Sequence, residues 1–265
     1  MTGTRVGTTP LPIVDAGPES LFGVGRVYAD GAVVRGSMPT GSWLQGADGQ
    51  VALGSLGVLV DNVLGYAIIA HRPPEHWSVS TEISLDLLTP LPSDGSRLHA
   101  EARTVQADAT GGFAVGEVRD EEGNLVAVCR QRGRYVPSGH DPAPLSFDLP
   151  HDVPDLAALI GFRAYPVRSS LTVTPVLENP LHNLHGGITL AVADLAASQA
   201  LTDGGPPLVT ASLHVLYARP VPAGSTLDLV TSVQHRGRRL GCVEVIGSIA
   251  GRPCTIGRVS AQPMP

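Results

Sequence analysis

One local pattern occurs twice in this chain, and it limits the possible folds more than any other feature. The first copy is Thr89-Pro90-Leu91-Pro92-Ser93-Asp94-Gly95-Ser96-Arg97-Leu98, and the second is Arg219-Pro220-Val221-Pro222-Ala223-Gly224-Ser225-Thr226-Leu227. Each is Pro-x-Pro, a short spacer and Gly-Ser-x-Leu. A proline corner followed by glycine and a new apolar alternation predicts strand, turn, strand. The flanks repeat too. Val79 to Leu88 and Val209 to Tyr217 alternate with period two, placing Val79, Thr81, Ile83, Leu85 and Leu87 on one face, and Val209, Ala211, Leu213, Val215 and Tyr217 on the other copy's face. Further strands are expected over 97–106, 113–118 and 125–136 in the first half, and over 226–235, 240–249 and 253–259 in the second.

Upstream of each strand set lies a helical stretch that is apolar nearly all round, 54–70 and 187–201. Such a helix must be buried on most sides. Each carries one acid at its middle, Asp61 or Asp194, 29 or 26 residues before its corner proline. Each half therefore reads as a strand, a buried helix and four antiparallel strands, an α+β solution with one curved sheet wrapped around one helix. With 265 residues, 43% of them apolar, the chain can bury two cores. The expected division is residues 1–137, a proline-rich linker at 138–154, and 155–265, with a short helix over 155–162 opening the second half.

Net charge is −6, and the basic clusters Arg130/Arg132/Arg134 and Arg236/Arg238/Arg239 read as solvated faces and turns, so no nucleic-acid partner is expected. No apolar run is long enough to span a bilayer, so no membrane partner is expected. Met1 to Val14 lacks the basic start and apolar stretch of a signal peptide, and the three cysteines are odd in number and widely spaced. A reducing cytoplasm is the expected compartment, with Cys129 and Cys242 as small buried hydrophobes.

A carboxylate inside a buried helix costs several kcal/mol unless it has partners, on the order of the penalty for burying any charge. Two of them at matching positions favour a shared site over two structural accidents. In the second half the helix follows Asn179-Pro180-Leu181-His182-Asn183-Leu184-His185-Gly186-Gly187. Glycines at a helix start can let a substrate approach free N–H groups at the positive end of the helix dipole, which suits a developing oxyanion. His182 and His185 have no third ligand at metal spacing, so no metal is expected.

Asn179, His185-Gly186-Gly187 and Asp194, followed by Thr210 and Pro220, resemble the hotdog-fold acyl-CoA thioesterases of the phenylacetate-degradation type. The resemblance spans the second half from about residue 155 to the end. In the first half it rests on topology and Asp61, because Ala52-Leu53-Gly54 stands at the His-Gly-Gly position and Gly46 at the Asn position. It implies two fused hotdog domains, a pseudo-dimer within one chain that could assemble further. It also implies a site shared between two hotdogs, since Gly186 and Asp194 sit about 12 Å apart along one helix at 1.5 Å per residue. The complete site then combines Asp61 and Ser80 of the first half with Asn179 and Gly186 of the second. His185, Gly187, Asp194 and Thr210 are supporting or second-site residues, and the mirror site lacks its glycine. Asp61 is expected as general base or nucleophile, Ser80 as the group orienting water or carboxylate, Gly186 N–H as the carbonyl donor, and Asn179 as the loop or water anchor. The implied activity is acyl-CoA hydrolysis without a cofactor, coenzyme A being part of the substrate. Arg236, Arg238 and Arg239 are candidates for its phosphates. The competing readings are a non-catalytic acyl-CoA or acyl-carrier binding module, and a hydratase or dehydratase. The last ranks lowest because neither Asp has a His within seven residues.

Overall fold

The computed structural model describes residues 17–46, 48–138, 153–165, 168–202 and 205–263. Met1 to Val14 and nearly all of the 138–154 linker therefore lie outside the described residues.

The first half holds α1 (Gly17–Leu21), β1 (Tyr28–Asp30), β2 (Val33–Pro39), α2 (Gly57–Ile69), β3 (His76–Leu87), β4 (Arg97–Ala107), β5 (Gly111–Arg119) and β6 (Leu125–Pro137). The second holds α3 (Leu156–Ile160), β7 (Ser169–Thr172), α4 (Gly186–Ala200), β8 (Val209–Tyr217), β9 (Thr226–Arg236), β10 (Gly241–Ile249) and β11 (Arg252–Gln262). The strands form one antiparallel sheet in the order β1-β2-β4-β5-β6-β3-β8-β11-β10-β9-β7. Reading outward from its centre, β3-β6-β5-β4-β2 in the first half answers β8-β11-β10-β9-β7 in the second. The junction is β3 against β8, with Glu82 opposite Leu216 and Asp86 opposite Ser212. α2 packs on the strands of the first half and α4 on those of the second, and the two helices also meet each other.

That meeting explains glycines whose purpose the sequence leaves open. A Cβ on Gly54 would lie 2.6 Å from the Leu190 carbonyl oxygen, and one on Gly187 would lie 2.5 Å from Val58 Cα. The helix starts cross too closely for a side chain at either position. Gly187 thus serves helix packing rather than substrate access. The same crowding shapes the start of the first helix. The expected 54–70 helix begins as a 3-10 turn over Leu53–Leu56, and its α-helical part starts at Gly57.

The strand faces needed a correction. Strict alternation would turn Ser80 and Thr210 away from the helices. In the structure the register of β3 shifts between Ser80 and Glu82, and that of β11 against β8 shifts between Ser260 and Ala261. Each is a β-bulge, and a single extra residue reverses the faces on either side of it. Ile83 and Leu85 point inward on one side of the first bulge and Ser80 on the other; Leu213 and Val215 do so beside Thr210 at the second.

The cysteines are free, with Cys129 and Cys254 buried and Cys242 half-buried. Burial pushes the Cys129 thiol up to about 12, so it is a packing group. Among the described residues no helix is long and apolar enough to cross a membrane.

Candidate active site

Asp61 lies on the second turn of α2, and the α2–α4 crossing carries it to the start of the opposite helix. Its Oδ2 accepts from the Gly187 N–H at 3.0 Å, and its Oδ1 accepts from the Ser80 hydroxyl at 2.8 Å. A Cβ on Gly186 would lie 2.6 Å from Asp61 Oδ2, so only glycine leaves that carboxylate in place. The positive end of the α4 dipole favours the charge held there. The four residues Asp61, Ser80, Asn179 and Gly186, drawn from both halves, line one cavity of about 430 Å³. The cavity opens where β3 and β8 part company. Residues 78–81 of β3 have no β8 partner, and the chain beyond Tyr217 forms the facing wall.

Three site residues were not foreseen from the sequence. Gln131 donates its side-chain amide to Ser80 Oγ at 2.9 Å, completing a chain from Gln131 through Ser80 to Asp61. Its signal was available: on β6 the inward row is Ala127, Cys129, Gln131, Gly133 and Tyr135, and Gln131 is its lone amide among small or aromatic residues. Tyr217 donates its hydroxyl to the Gly186 carbonyl at 2.7 Å. Burial first, and then the charge of Asp61, push this phenol well above its ordinary 10.0, so it remains a donor. Glu19, from α1, approaches His185 Nε2 at 3.4 Å. Nothing in the sequence around Glu19 marks it.

His185 caps α4, its Nδ1 accepting from the Gly187 N–H at 3.0 Å. Asn179 uses its Oδ1 to accept from the amides of Leu181 and Asn183, at 2.9 and 3.2 Å, and so folds the loop over the cavity. His182 turns to Glu178 rather than toward His185, and no group of three or more His, Cys, Asp or Glu able to hold a metal occurs among the described residues.

The mirror arrangement is present but closed. Asp194 accepts from Gly54 N–H at 2.7 Å and from the Thr210 hydroxyl at 2.5 Å. Asp194 is 1% exposed, Thr210 4% and Leu53 1%, and none of them lines the cavity. The row position of Gln131 is taken by Val259, which faces Leu213 as Gln131 faces Ile83. Desolvation by burial raises the Asp194 carboxyl above its ordinary 3.8.

Arg236, Arg238 and Arg239 do not reach the cavity mouth. Arg236 donates to the carbonyls of Leu201, Pro206 and Gly237, closing the far end of α4, about 20 Å along the helix from Gly186. A helix C-terminus leaves carbonyls without partners, and the guanidinium satisfies them. Arg238 and Arg239 are exposed on the turn. The arginine that does line the cavity is Arg219, beside the second proline corner.

Comparison with known proteins bears on the family and the fold. Residues 181–253 match the family model of the thioesterase superfamily, and residues 16–135 match that of the acyl-CoA thioesterase C-terminal domain. The two matches lie in separate halves of the chain, and both families are thioesterases. Among solved structures it is similar to the tesB protein of Mycobacterium avium subsp. paratuberculosis, with a TM-score of 0.65 and 12% identity over 94% of this chain and 98% of that one. It is also similar to the 12:0-ACP thioesterase of Umbellularia californica, with a TM-score of 0.62 and 14% identity over 88% and 95%. An acyl-ACP thioesterase of Bacteroides thetaiotaomicron gives 0.58 and 12% over 87% and 98%. At such identities the likeness is one of fold. No curated protein matches the sequence significantly.

Proposed function

We propose that the chain is two fused hotdog domains, residues 1–137 and 155–265, joined by a linker at 138–154, that hydrolyse an acyl-CoA thioester at one site between them. The observation that carries this reading is the Asp61 carboxylate of one half held against the Gly186-Gly187 helix start of the other, in the wall of an open cavity.

In this reading the thioester carbonyl oxygen takes the Gly186 N–H, which has no acceptor among the described residues. Asn179 lines the same cavity. Asp61 acts as general base on a water. Both of its oxygens already accept a hydrogen bond, and a proton added through a remaining lone pair keeps both bonds. Direct attack on the carbonyl, with the thiolate leaving, would turn one oxygen into the bridging oxygen of a mixed anhydride, a poor acceptor, and would weaken a charge-assisted bond. Ser80, itself held by Gln131, fixes the carboxylate. Arg219 stands where coenzyme A phosphates would enter.

A thiol-release assay over a panel of acyl-CoAs tests this. Release by the wild-type chain, lost in Asp61→Asn with the fold intact, supports it. Coenzyme A binding without release from any member of the panel would instead favour a binding module.

A further inference from the structure

A buried acid beside the cavity has no part in the proposed reaction. Glu19 sits on α1, whose Gly17 packs against the Val176 backbone in the loop ahead of the His-Gly-Gly sequence. The first half thus sends a second carboxylate into the second half's motif, beside Asp61. Its Oε1 is 3.4 Å from His185 Nε2, and its Oε2 is buried without a partner. The same imidazole places Nδ1 3.4 Å from Asp61 Oδ2. One ring therefore bridges two carboxylates. The side chains of His185 and Glu19 are only 7% and 11% exposed, so solvent does little to decouple them.

The hydrogen bonds restrict where the ring proton can be. Nδ1 accepts from the Gly187 N–H, so in the neutral ring the proton is on Nε2, facing Glu19. A second proton would enter at Nδ1. It would end the bond from Gly187 to the ring and donate to Asp61 Oδ2 instead. A carboxylate engaged by an imidazolium is a weaker base. The titratable groups around the ring are Glu19 on α1, Asp61 on α2 and Tyr217 at the end of β8, while Glu178 in the preceding loop turns to His182.

Resting on the proposed role of Asp61, we infer that Glu19 is a positioning residue: it holds the Nε2 proton of His185 and so fixes the tautomer of the ring that decides when Asp61 is free to act as a base. Burial pulls the His185 value down, but Glu19 and then Asp61 outweigh it, and the net value lies above the ordinary 6.5. Removing the Glu19 charge should therefore move protonation of the ring, and the acid limb of activity with it, to lower pH.

The test joins ring ¹⁵N spectra to pH profiles in the full chain. The His185 signal is assigned by its absence in His185→Gln. At alkaline pH the wild-type ring should show the Nε2–H tautomer. In Glu19→Gln the ring should titrate lower by about one unit or more, as expected on removal of an opposite charge within 4–6 Å. The acid limb of kcat/KM should fall with it, while the melting temperature stays within a few degrees. Glu19→Asp, which keeps the charge, should stay close to wild type. A wild-type ring in the Nδ1–H form, or an acid limb unmoved in Glu19→Gln, overturns the inference. If the wild-type chain releases no thiol, the proposed function fails, and the spectra alone still decide the tautomer and the influence of Glu19 on it.

Discussion

Asp61 and Gly187 stand 126 positions apart in the chain, yet the carboxylate of one accepts the amide proton of the other at 3.0 Å. The contact ties the proposed base of one half to the helix start of the other. A matching bond joins Asp194 to Gly54 at 2.7 Å, but behind a closed wall. This difference in access sets the first expectation.

Asp61→Asn should lower thiol release by about 10²–10⁴-fold, the usual contribution of a positioned acid–base group, with little change in melting temperature. Asp194→Asn should leave turnover within a few-fold of wild type. Steady-state kinetics beside thermal melts separates the two. Loss of turnover in a stable Asp194→Asn protein, with Asp61→Asn active, would reverse the site assignment.

Asp194 should also show itself through pH. Its folded value is raised by burial above the ordinary 3.8, so the stability it contributes is fully present below the unfolded value and is lost as pH rises through the folded value. Measured as melting temperature, Asp194→Asn should gain on wild type between about pH 4 and neutrality. A difference that is flat or falls over that range would contradict the assigned direction.

The two neighbouring glycines should fail in different ways. An added methyl at Gly186 meets the Asp61 carboxylate, which can swing aside, so Gly186→Ala should fold and lose most turnover. At Gly187 the methyl meets the backbone of α2, which cannot, so Gly187→Ala should cost about 1–3 kcal/mol as overpacking does. Denaturant titration and turnover on both variants check this. Equal melting temperatures for the pair would refute it.

Ser80→Ala removes a hydroxyl bonded to a carboxylate and leaves Gln131 without its acceptor. A hydrogen bond to a charged group contributes about 1.5–3 kcal/mol, so kcat should drop about 10- to 100-fold. Ser80→Thr should retain activity, since Thr210 makes the equivalent bond in the other half. Failure of the threonine variant to recover kcat would show that Ser80 does more than hold Asp61.

Arginine substitutions divide by location. Arg219→Glu should raise KM for acyl-CoA, most at low salt, through loss of a cation at the cavity. Arg236→Ala should instead lower the melting temperature and leave KM alone, because that guanidinium closes α4. A KM effect from Arg236→Ala with none from Arg219→Glu would restore the β9–β10 turn as the phosphate contact.

Much of this protein was legible one residue at a time. The doubled proline corner, the period-two runs and the two all-apolar helices placed most elements within a few residues of their bounds, because they depend on local propensity and on which face must avoid water. The repeated acid in each helix marked Asp61 and Asp194, since burying a charge is too costly to occur twice without partners. The tertiary structure decided the rest. Two bulges shifted Ser80 and Thr210 onto the helix side, and a bulge is set by pairing with a neighbouring strand rather than by the strand's own residues. The helix crossing assigned Gly187 to packing and left Gly186 to the cavity. It also brought Glu19, Gln131 and Tyr217 to the site from three distant segments. Such contacts depend on distances between elements, and those are fixed only when both halves close on one another.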